Sequence, residues 1–178
     1  MLDPAQMQAI TDAGRLTFHL LGDVGGVKAP QDQQIVALNL TADAHRATDP
    51  ARFAYIMGDV VYHNGDDAQY YPQFYEPYAD YPCPIFSVPG NHDGTPSPGT
   101  SSLQAWIANF ATPAPGRAAD ARDVPRLTMT QPDCYWTLTS PWSPSSACTA
   151  TSRRTGTSIP ARTPGSPANS PMPPPIGR

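Results

Sequence analysis

Asp23, Asp59, Tyr62, Asn91 and His92 are the side chains of this sequence best suited by kind and placement to chemistry, and each closely follows a short apolar run. Gly22-Asp23-Val24-Gly25-Gly26 ends the run over residues 16–21, and Gly58-Asp59-Val60-Val61-Tyr62 ends the run over 53–57. Pro89-Gly90-Asn91-His92-Asp93-Gly94 ends the run over 85–88. Hard oxygen donors accompanied by imidazole suit Mn, Fe or Zn ions, and two ions about 3.5–4 Å apart are a recurring device for phosphoryl chemistry.

Taken singly, each cluster has a plainer reading. An Asp in a Gly-rich turn is usually turn chemistry, Asp59 and Tyr62 fit a turn Asp beside a half-buried phenol, and an Asx-type turn explains Asn91 and Asp93 without His92. The first cluster is not a Walker phosphate loop, because Val27 precedes Lys28 and Ala29 follows it where Gly and Ser or Thr are required. Three such turns, each ending a strand with metal-competent side chains, point instead to one shared site.

The scaffold for these residues is legible in the pattern around them. Short β-forming runs leading into Gly-Asp or Gly-Asn read as buried strands. In open α/β sheets, ligands sit in the crevice outside the strand C-termini, which is where all three turns fall. Helices are expected over residues 4–13, with Asp3 as cap and Pro4 at the first helical position, and over 31–47, stopping near Asp49-Pro50. Tyr70, Tyr71, Phe74, Tyr75 and Tyr78 recur at steps of three and four, which predicts a helix over 67–79 packed on the sheet. A further helix is expected over 101–110, a loop over 112–125 and a strand over 134–138. This alternation predicts an α/β domain over residues 1–140, with a mostly parallel sheet and flanking helices.

Charge separates that domain from the C-terminal segment. Among the 178 residues, all fifteen carboxylates and seven of the eleven cationic side chains lie before Pro141, so residues 1–140 carry a formal charge of −8. Nucleic-acid binding through a basic face is thereby disfavoured, and any phosphate handled here needs bound cations to reverse the local sign. Residues 141–178 hold four Arg, no acid, and after Trp142 no Leu, Val, Phe or Tyr. Such a Pro/Ser/Thr/Ala/Arg-rich segment buries too little apolar area to offset its ordering entropy, so it reads as a disordered tail or as the product of a reading-frame shift near residues 139–141. Cys83, Cys134 and Cys148 form no CxxC pair, which favours free or buried thiols. No leader and no run long enough to cross a bilayer is visible, so a cytoplasmic protein is expected.

Gly22-Asp23-Val24-Gly25, Gly58-Asp59-Val60-Val61-Tyr62 and Gly90-Asn91-His92-Asp93 resemble the GDxG, GDxxY and GNH[DE] blocks of calcineurin-like metallophosphoesterases, and the Tyr makes the purple acid phosphatase branch the nearer likeness. The resemblance spans roughly residues 16–140. It implies the N-terminal part of an αββα sandwich that hydrolyses small phosphate esters with a hydroxide held by two metal ions (Fe, Mn or Zn). It further implies that Asp23 binds the first ion, Asp59 bridges both, Tyr62 is a phenolate ligand to the first, Asn91 binds the second and His92 touches the substrate phosphate. His63, Asp66 and Asp67 have no role in that pattern and read as solvated loop residues. The family's later histidine blocks have no counterpart, since the four histidines are His19, His45, His63 and His92. The C-terminal blocks are therefore expected to be truncated, with weak metal binding and impaired turnover. A non-catalytic metal- or phosphate-binding module is the alternative, and the oligomeric state is not indicated.

Overall fold

The computed structural model describes residues 2, 4–95, 102–140 and 143–150. Three short strands, β1 (His19–Leu21), β2 (Ala54–Ile56) and β3 (Ile85–Ser87), form a parallel sheet in that order. The register aligns His19 with Ala54 and Ile85, and Leu21 with Ile56 and Ser87. All three strands therefore end on one rung, and the Gly-containing turns that follow emerge at a single edge. Parallel strands require crossovers, and α2 (Pro30–Ala44) supplies the first, with Pro30 at its start as its fixed φ favours. Preceding the sheet, α1 (Pro4–Ala13) buries Ile10 and gives way to Gly14 at φ 65°.

Alternation along the strands divides the core between two faces. Ala54, Ile56 and Ile85 pack with Ala37 and Ala44 of α2, with Tyr70, Phe74, Tyr75 and Tyr78, and with Trp106 and Phe110 of α3 (Gln104–Phe110). Phe53, Tyr55, Phe86 and Val88 form the opposite face, covered by Leu2, Leu16, Trp136 and Leu138. Each large side chain so buried contributes about 1.5–3 kcal/mol.

The aromatic segment is helical but not one α-helix. A 3-10 turn over Asp67–Gln69 leads into a π-helical turn over Tyr71–Tyr75, where the Glu76 N–H donates to Tyr71 O at 2.9 Å. Pro72 lacks the N–H that an α-ladder running on from residue 67 needs, and the ladder widens around it. The segment's carbonyls are gathered by Arg126: Nη2 donates to Tyr78 O at 2.9 Å and to Tyr81 O, and Nη1 to Cys83 O at 3.2 Å.

The outer edge of β3 is closed by a side chain. Gln131 Oε1 accepts from Ser87 N and its Nε2 donates to Ser87 O, both at 2.7 Å, so one buried amide replaces a neighbouring strand. Trp136 Nε1 donates to the same carbonyl at 3.1 Å. Trp136 belongs to β4 (Trp136–Ser140), which pairs antiparallel with β5 (Ser143–Ala150) in a second, two-stranded sheet. Within the segment expected as a tail, residues 143–150 thus form a strand, which the ladder permits because its hydrogen bonds are between backbone groups. The rest of that tail, residues 141–142 and 151–178, lies outside the described residues. Cys83 is a free thiol whose Sγ donates to Ala51 O at 3.1 Å.

Candidate metal centre

Asp23 and Asp59 open their turns with φ of 53° and 51°, and Gly58 between strand and carboxylate has φ 104°. A left-handed residue directly past a strand turns the chain sharply, which Asp tolerates better than most side chains. The two turns are tied together, with Asp23 N donating to Gly58 O at 3.2 Å and Val24 N to Asp59 O at 3.1 Å. The third turn closes against them, because the His92 N–H donates to Asp59 Oδ1 at 3.0 Å. A β-carbon on Gly90 would collide with the Asp59 carboxylate and backbone nitrogen, so only Gly allows this approach.

Tyr62 completes the cluster. Its hydroxyl donates to Asp23 Oδ1 at 2.6 Å and lies 3.2 Å from Asp59 Oδ2. Burial first, then the hydrogen bond to Asp23 and the Asp59 charge, hold its proton well above the ordinary phenol range. Its backbone is clamped by buried Gln73, whose Oε1 accepts from Tyr62 N at 2.9 Å and whose Nε2 donates to Tyr62 O at 2.6 Å. Gln33 on α2 donates in turn to Gln73 O at 2.6 Å.

His92 lies against Tyr62, their ring centres 4.5 Å apart. Its Nδ1 donates to His63 O at 2.8 Å, which leaves Nε2 free for a proton or a ligand. His63, given no role by sequence, thereby orients His92 through its backbone. Asn91 occupies the same turn and is exposed, and no hydrogen bond of its side-chain amide ties it to Asp23 or Asp59 among the described residues.

Asp93, which sequence alone leaves as a turn residue, staples the second turn to the third. Fully buried, it accepts from Gly90 N at 2.7 Å, Val60 N at 3.1 Å and Val61 N at 3.2 Å. Burial pushes its pKa up to about 6 against the pull of those three donors. Gln73 and Gln33 carried no local signal, since their partners lie far along the chain.

Two carboxylates and a phenol converging within hydrogen-bond distance form a hard, anionic oxygen set, and a proton now occupies the space between them. That chemistry fits one cation held by Asp23, Asp59 and Tyr62. Among the described residues no group of three or more His, Cys, Asp or Glu could hold a metal. No helix among the described residues is long and apolar enough to cross a membrane.

A search of curated proteins gives no match. The family model for calcineurin-like phosphoesterase matches residues 16–129, a span that contains all three turns and the sheet that aligns them. By that match over more than half its length, the chain belongs to the calcineurin-like phosphoesterase family.

Proposed function

We propose that the chain is a metal-dependent hydrolase of small phosphate esters, nearest to the purple acid phosphatase branch, with Asp23, Asp59, Tyr62 and Asn91 as its metal ligands. The observation that carries this reading is the Tyr62 hydroxyl set between Asp23 and Asp59. In this reading Asp23 and Tyr62 hold one ion, Asp59 faces both, and Asn91 serves the second, the pair being Fe, Mn or Zn. When bound, such ions place positive charge against the phosphate and acidify water.

The protein's own groups do the rest. The Gln73 clamp keeps Tyr62 at the carboxylates, and Asp93 keeps the Asp59 and His92 turns in register. His92, with Nδ1 fixed by His63 O, presents Nε2 to a phosphate oxygen or gives a proton to the leaving alcohol. A water oxygen bonds to phosphorus, the ester P–O bond breaks, and the released proton ends on the alcohol. The −8 charge of residues 1–140 supports a small ester over a nucleic acid.

The short donor set for a second ion favours a weakened enzyme and also a second reading, a non-catalytic metal- or phosphate-binding module. Hydrolysis of p-nitrophenyl phosphate with added manganese or iron separates them, with elemental analysis of the same samples. Metal-dependent turnover that disappears in Asp59→Ala supports the enzyme. Bound metal without turnover favours the module, and a chain that takes up no metal and binds no phosphate overturns both.

A further inference from the structure

A cavity of about 560 Å³ opens beside the centre, reaching from Asp23, Tyr62 and His92 to the first turn of α2. Pockets that seat drug-sized organic molecules begin at about 300 Å³, so a phosphoryl group leaves most of this space for another chemical group. Apolar side chains line it with Val24, Val27, Val36 and Tyr78.

Its charges are uneven. Lys28 is the one Lys or Arg on the wall, is exposed, and makes no ion pair among the described residues. Next to it α2 begins after Ala29, which has no side-chain cap to offer, so the helix's positive end faces this region with only Asp32 in the first turn to balance it. Gln33, 7% exposed, also lines the cavity, and its Oε1 has no hydrogen-bond partner. That oxygen is itself buried against Gly26, so it backs the wall rather than opening onto the cavity.

Resting on the phosphoesterase reading, we propose that this cavity seats the alcohol portion of the ester, and that Lys28 selects alcohols carrying a second anionic group such as a carboxylate or another phosphate. Asp32 opposes that preference from the same wall. The centre takes the phosphoryl group, and Lys28 with the α2 N-terminus takes the far end.

Binding and manganese-dependent hydrolysis of phenyl phosphate and 4-carboxyphenyl phosphate test this in the full chain, in Lys28→Met, Lys28→Arg and Asp32→Asn. One exposed cation near a helix N-terminus is expected to favour the carboxylated ester about three- to tenfold. That ratio should fall to near unity in Lys28→Met, persist in Lys28→Arg and grow in Asp32→Asn. A ratio unchanged in Lys28→Met, with both esters hydrolysed, overturns the selection and leaves the phosphoesterase reading standing. A ratio that collapses in Lys28→Met without hydrolysis of either ester supports the anion site and overturns the phosphoesterase reading. Failure of the wild-type chain to bind either ester overturns both.

Discussion

The Tyr62 hydroxyl donates to Asp23 Oδ1 at 2.6 Å, joining the second turn to the first across 39 positions of sequence. A shared proton and a bound cation are thus alternative ways to hold these three oxygens together. A phenol kept protonated by burial and two carboxylates gives up that proton when a cation takes its place. Manganese(II) binding near neutral pH should therefore release about one more proton from the wild type than from Tyr62→Phe. Calorimetry in buffers of different ionisation heat measures the difference, and equal release would remove Tyr62 from the ligand set.

Asp93 gives the fold an inverted pH dependence at one residue. Its folded pKa of about 6 lies above the 3.8 of a free Asp, chiefly because it is buried. The folded state therefore binds this proton more tightly, and its contribution is fully present below about pH 4 and is lost as pH rises towards about 6. Asp93→Asn should flatten that part of the stability profile. It should also destabilise the chain by about 1–3 kcal/mol, because the amide must turn an NH2 towards a backbone N–H. Urea titrations from about pH 4 to about pH 7 read both effects, and an unchanged slope would show that another group titrates there.

What was legible in the sequence was what repeats locally. Strand, glycine and carboxylate lie next to one another at Gly22-Asp23 and Gly58-Asp59, and a parallel register suffices to bring such turns together. The supports were not legible, because Gln73, Gln131 and Asp93 act on backbone groups 11, 44 and 33 residues away. A lone Gln has no pattern that announces a clamp. Pro72 was a local signal against a single α-helix over 67–79, outweighed by the aromatic spacing. β5 escaped because composition speaks to side chains, whereas its pairing with β4 uses the backbone.

Gly90→Ala tests how closely the second and third turns must approach. The added methyl would meet Asp59, whose Oδ1 also receives the His92 N–H, so relieving the clash moves a proposed ligand and His92 together. Overpacking of this kind destabilises by about 1–3 kcal/mol, and metal uptake should fall with it. Gly116→Ala is the control, since a β-carbon there meets nothing closer than Ala114 O at 4.0 Å. Urea midpoints and metal content of the two variants decide the matter, and equal behaviour would mean the turns have slack.

Gln131→Ala removes the amide that closes the edge of β3. Ser87 then loses the acceptor for its N–H and a donor to its carbonyl, although Trp136 Nε1 still reaches that carbonyl at 3.1 Å. With Ser87 fully buried, water cannot readily replace what is lost, and the change should cost about 2–3 kcal/mol. Gln131→Glu keeps an acceptor for Ser87 N but adds a carboxylate in a buried place, so it should be no milder. Hydrogen exchange localises the effect: the Ser87 amide should exchange faster in both variants. Because β3 leads directly into residues 89–93, His92 should also lose order, seen as weaker protection of its N–H to Asp59 Oδ1. If Ser87 exchanges faster while His92 is unaffected, Asp93 and Gly90 hold the third turn in place without help from the strand edge.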